Sequence, residues 1–126
     1  MPSRYNTVSF LSDFGTRDEF VGVVHSVLCN IAPQIDVIDI THGIPAHDVR
    51  AGSLALARSV EYLCPGIVLA VVDPGVGTER KKIAVEVGEG ESILIGPDNG
   101  LLAPAVAMVG GPKRVVELTN LDFQLN

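Results

Sequence analysis

Apolar positions in this chain fall into short runs divided by glycine, proline and acidic residues, and their spacing alternates between strand-like and helix-like. Thr7 to Leu11 is brief, β-prone and mostly apolar, and it runs straight into Ser12-Asp13-Phe14-Gly15, predicting a first strand that ends in an acid. Phe20, Val23, Val24, Val27, Leu28 and Ile31 then recur at helical spacing. Thr16 or Asp18 is placed to cap that helix, Asp18 and Glu19 suit its positive end, and Pro33 closes it. Asp36 to Ile40 predicts a second strand, ending in Thr41-His42-Gly43. From Asp48 to Leu63 the pattern of Val49, Ala51, Leu54, Ala55, Ala57, Val60 and Leu63 predicts a helix packed closely on a sheet, stopped by Cys64-Pro65-Gly66.

Ile67 to Val72 is an apolar run rich in β-branched residues, which suits a strand covered on both faces. Lys82 to Val87 and Glu91 to Ile95 read as strands joined through Gly88-Glu89-Gly90, a link with the glycines a hairpin needs. A helix over Leu101 to Val109 and a last strand at Arg114 to Leu118 complete the pattern. Strand, helix, strand at the start makes parallel pairing the expectation, since a helical crossover returns the chain in the same direction. The predicted fold is therefore α/β: a parallel-dominated mixed sheet with helices on both faces, in one domain spanning residues 1–126.

Composition narrows the partners. At 126 residues and 47% hydrophobic content the chain can bury one ordinary core. A formal charge of −6, with nine Lys and Arg spread along the chain, argues against nucleic acid and is compatible with a small cationic ligand. No apolar stretch approaches the roughly 20 residues that span a bilayer, and Met1 to Asn6 precedes no signal-type core, so no membrane partner and a cytoplasmic location are expected. Cys29 and Cys64 lack metal-ligand spacing and sit in apolar stretches, which predicts two buried reduced thiols.

Candidate chemistry lies where strands stop. Asp13, His42 and Asp73 are polar groups at the ends of the first three strands, the place where ligands collect in open α/β sheets. The loop Asp73-Pro74-Gly75-Val76-Gly77-Thr78-Glu79-Arg80 returns a guanidinium seven residues after the carboxylate, so that both can face one pocket. An Asp before Pro-Gly also serves as a plain turn former, and a loop histidine such as His42 often does no more than hydrogen-bond backbone. Asp98 and Asn99, inside Pro97-Asp98-Asn99-Gly100, read as structural, because Asn-Gly is a strong turn signal. No G-x-G-x-x-G follows the first strand to suggest a dinucleotide.

Ser12-Asp13-Phe14-Gly15 with Asp18 and Val21-Gly22, then Asp39-Ile40-Thr41-His42-Gly43-Ile44, Val71 to Arg80, and Gly96 to Leu102 resemble, in order and spacing, the S-adenosyl-L-methionine hydroxide adenosyltransferases, the SAM hydrolases related to fluorinase and chlorinase. The resemblance covers about residues 7 to 118. It implies attack of water or hydroxide on the ribose C5′ of S-adenosyl-L-methionine, releasing adenosine and L-methionine, with no metal or organic cofactor. It also implies roles for single residues. Asp73 and Arg80 correspond to two members of the family's Asp-Arg-His water-activating set, Asp13 to the carboxylate that holds the ribose hydroxyls, and Asp18 to the acid near the methionine ammonium. Halogenating members carry Tyr and Thr where this sequence has Asp73 and Val76, which disfavours halide use.

The family's third catalytic residue, a histidine in a downstream Thr-Phe-His-Gly-Arg-Asp-type motif, and its C-terminal β-barrel have no counterpart in these 126 residues. The resemblance is thus to the N-terminal domain, and it implies that this chain supplies part of a site shared between subunits of a homotrimer. A catalytically inactive remnant, at most a weak nucleoside-binding module, is the alternative expectation. His47 stands where the family usually has an aromatic residue, which implies weaker stacking on adenosine.

Overall fold

The computed structural model describes residues 5–74 and 81–119. Its elements follow the order β1 (Thr7–Ser12), α1 (Phe20–Ile31), β2 (Asp36–Thr41), α2 (Val49–Ser59), β3 (Ile67–Val71), β4 (Lys82–Val87), β5 (Ser92–Pro97), α3 (Ala103–Met108) and β6 (Arg114–Glu117). The six strands form one sheet in the order β2-β1-β3-β5-β4-β6. The pairs β1 with β2, β1 with β3 and β3 with β5 are parallel, whereas β4 pairs antiparallel with both β5 and β6. This is the mixed α/β sheet that the sequence pattern predicts.

Helices lie on both faces of the sheet, α2 and α3 on one and α1 on the other. Leu11, Val68, Ala70 and Leu94 point to one face and pack with Leu56 of α2 and with Ala105 and Val106 of α3. Phe10 points the other way and is level with Asp39 of β2, and Asp39 is bonded by His25 of α1. Alternation along the strands therefore sends the chain from β1 over one face to β2, then back over the other face to β3. Gly52 lets α2 sit close to the sheet: a Cβ there would meet Leu101 Cδ1 at 2.9 Å and Val72 Cγ2 at 3.2 Å.

Three expectations need correction. The helix expected from Asp48 to Leu63 ends at Ser59 and tightens into a short 3₁₀ turn, Val60–Tyr62. The helix expected from Leu101 begins only at Ala103, with Pro104 in its first turn, where a missing N–H costs nothing. Cys29 and Cys64 are unpaired thiols as expected, but both are exposed rather than buried. The reason for Cys29 is helical geometry. Val21, Val24, His25, Val27 and Leu28 of α1 are drawn toward the sheet, and none of them is fully buried. Cys29 lies at the edge of that face, one turn beyond His25, in an end of the helix where Asn30 and Ile31 are also exposed, Ile31 to 72%. Cys64 stands in the turn entering β3, where it borders a surface hollow with Glu61 and Pro65.

Candidate functional site

Parallel pairing carries several polar residues to one edge of the sheet. Ser12 is level with Val71, and Asp13 N–H donates to the Val71 carbonyl at 3.3 Å, so the turns bearing Asp13 and Asp73 leave the same edge of adjacent strands. They flank the seam between β1 and β3, where the chain's progress across the sheet reverses. Crevices at such reversals are the usual ligand sites of open α/β sheets. Asn99 closes the edge on the far side of β3: its Nδ2 donates to the Val72 carbonyl at 3.0 Å and its Oδ1 accepts from Leu101 N–H. That is the structural role its turn sequence predicts.

The Asp13 carboxylate is partly buried and held by backbone. Its Oδ2 accepts the His47 N–H at 2.6 Å, while among the described residues no hydrogen bond engages Oδ1. His47 adopts φ 63°, a left-handed conformation uncommon for a residue with a Cβ, and this aims its N–H at the acid. The Asp48 N–H closes the turn onto the Pro45 carbonyl, and the Asp48 side chain caps α2 through Ala51 N–H at 2.9 Å. His47 thus contributes its backbone to the site.

Asp18 is exposed and accepts the Phe20 N–H at 3.1 Å, organising the start of α1. No described contact joins it to Asp13 or Asp73. Asp73 is partly buried and borders a hollow of about 190 Å³ with Leu69, Val71, Ile95, Pro97 and Leu118. Ligand pockets usually measure about 300 to 1,000 Å³, so the described residues enclose only a fraction of one here. A larger hollow of about 430 Å³ lies between α3 and β4, but Asp98 is the sole ionisable one among the described residues that line it. Arg80 lies outside the described residues. Among the described residues, no group of three or more His, Cys, Asp or Glu side chains is placed to hold a metal ion.

A cluster that sequence reasoning did not assemble lies directly behind Asp13. The buried Ser12 Oγ is 2.6 Å from His42 Nδ1, and His42 Nε2 is 2.7 Å from Asp39 Oδ1. His25 Nε2 reaches the same carboxylate at 3.0 and 3.1 Å. Burial alone would raise the Asp39 pKa, but the hydrogen bonds from His42 and His25 and the electrostatic pull of the two rings outweigh it and hold the carboxyl below its ordinary range. A register shift makes the cluster. Phe10 is level with Asp39 but Leu11 with Thr41, so β2 carries one extra residue, and His42 comes round to the face of Asp39 beside Ser12.

Comparison with known proteins gives this edge its context. Residues 8–125 match the SAM hydroxide adenosyltransferase N-terminal domain. An (R)-S-adenosyl-L-methionine hydrolase of Salinispora tropica is 51% identical over 116 residues, covering 92% of this chain and 44% of the relative. Among solved structures, a conserved hypothetical protein from Thermus thermophilus superposes with a TM-score of 0.80 at 42% identity, covering 91% of this chain and 47% of the other. An uncharacterised conserved protein from Thermotoga maritima gives 0.85 at 34% identity, covering 91% and 44%. The chain spans less than half the length of each.

Proposed function

Because the chain belongs to the SAM hydroxide adenosyltransferase family, we propose that it supplies the carboxylate-bearing part of a site that hydrolyses S-adenosyl-L-methionine to adenosine and L-methionine. The observation that carries this reading is the emergence of Asp13 and Asp73 at one sheet edge, on either side of the β1–β3 seam. The substrate is a sulfonium, already a good leaving group. The protein's task is to hold the ribose and to set a water in line with the C5′–S bond. The water oxygen bonds to C5′ as the C5′–S bond breaks, the electron pair stays on the methionine sulfur, and the water gives up a proton.

Asp73 orients that water and accepts its proton, and Arg80 keeps the carboxylate ionised and in place. Asp13, with one oxygen fixed by the His47 N–H, offers the other to ribose hydroxyls, which are donors a carboxylate can accept. Asp18 stands toward the methionine ammonium. The reaction needs no metal or organic cofactor. The small hollow beside Asp73 supports a site completed by residues beyond those described here, as in a homotrimer that shares its sites between subunits.

The test is direct. The complete gene product is incubated with S-adenosyl-L-methionine, and adenosine and methionine are resolved by chromatography. Both should form in equal amounts. Asp73→Asn should lower kcat by about 10² to 10⁴ with little change in KM, the cost of losing general-base assistance, whereas Asp13→Asn should chiefly raise KM. Near-normal kcat in Asp73→Asn, with only a lowered melting temperature, would return the loop to a turn-forming role.

A further inference from the structure

Ser12, His42 and Asp39 have the composition of a nucleophilic triad, yet their geometry assigns them other work. Ser12 exposes no surface, so no substrate atom can reach its Oγ. That oxygen also accepts the Phe14 N–H at 3.2 Å. The protons can be followed through the chain of contacts. An ionised Asp39 can only accept, so His42 carries its hydrogen on Nε2, and the bare Nδ1 accepts the Ser12 hydroxyl. The hydroxyl is left with a lone pair turned to Phe14 N–H, and every member is satisfied.

What the network grips is the turn that bears Asp13. On one side Ser12 Oγ holds Phe14 N–H. On the other, the His42 carbonyl accepts Gly15 N–H at 2.8 Å, at a glycine with φ 73°. The Phe10 ring meets the His42 ring edge-on at 4.6 Å and the Phe14 ring at 6.2 Å, which fixes the imidazole plane. His25 steadies the Asp39 carboxylate from α1.

We propose that Ser12, His42 and Asp39 form a positioning relay that fixes the Asp13 turn, and so sets the affinity of this edge for the hydroxyl-bearing part of its ligand. The ligand in this statement rests on the hydrolase reading; the hold on the turn does not.

The two are separated by experiment. In the wild-type protein at neutral pH, long-range proton–nitrogen correlation of the imidazoles should show His42 protonated at Nε2 and bare at Nδ1. Ser12→Ala should speed Phe14 amide exchange and raise KM for S-adenosyl-L-methionine, each about tenfold, with kcat retained, as expected where one buried hydrogen bond is left unmade. Should Ser12→Ala fail to fold, Asp39→Ala at a half-exposed position carries the same test: the Nε2 tautomer is lost and KM rises. A wild-type His42 protonated at Nδ1 alone would overturn the relay, and so would an unchanged KM in a working Ser12→Ala enzyme. Absence of turnover in the wild type, with the Nε2 tautomer present and Phe14 exchange sensitive to Ser12→Ala, would overturn the hydrolase reading and uphold the hold on the turn.

Discussion

Asp39 shows how a single carboxylate can be committed to structure and yet serve the edge where ligand is expected. Its pKa is lowered from an ordinary 3.8, burial being outweighed by His42 and His25. A carboxyl with a depressed folded-state pKa adds stability that is present above its unfolded value and is lost as pH falls through the folded one. Thermal melts at a series of pH values should therefore show an acid decline below about pH 4 that is shallower in Asp39→Asn than in the wild type. The increment is small, because 41% of the side chain faces solvent and screening weakens its contacts. Equal acid limbs in the two proteins would count against the pairing. Asp13 and Asp73 could be read from sequence because each is the first acid after an apolar run, a pattern local in the chain. The Ser12–His42–Asp39 cluster could not. In a regular strand, residues 39 and 42 face opposite ways, and only the extra residue in β2 puts them together.

Element boundaries followed the same division between local and long-range causes. Strand positions agreed with the apolar runs to within a residue or two, because runs bounded by Pro and Gly carry their own punctuation. The burial of α1 did not follow its periodicity. Phe20, Val23 and Ile31 are at helical spacing yet exposed, and Phe20 and Ile31 are the two ends of the helix, beyond the half-buried Val24 and Val27 whose side they share. The fit of α2 is tighter and depends on Gly52. Gly52→Val would drive methyl groups into the buried Leu101 and Val72 side chains, and should destabilise the fold by about 1 to 3 kcal/mol through overpacking. Urea unfolding with the midpoint lowered and the slope retained would be the signature. A midpoint equal to the wild type would show that α2 can move out without cost.

Seen whole, the molecule has two unlike rims. Parallel strands send Asp13, His42 and Asp73 to the carboxyl edge, and the helices that connect them return the chain to the opposite edge. Cys29, near the end of α1, borders a hollow with Ile35 and Asp36 at the start of β2. Cys64 precedes β3 and borders another hollow with Ser92 at the start of β5. Both thiols therefore open on the rim away from Asp13 and Asp73, and they are the chain's two cysteines. A disulfide-exchange reagent should titrate two thiols per chain without denaturant, and the modified protein should bind S-adenosyl-L-methionine as the unmodified one does. Slow reaction that requires unfolding would contradict the exposure. The practical consequence is orientation: a chain tethered to a surface or tagged with a dye through these sulfurs would present the rim bearing Asp13 and Asp73 outward, leaving the edge proposed to meet ligand unobstructed.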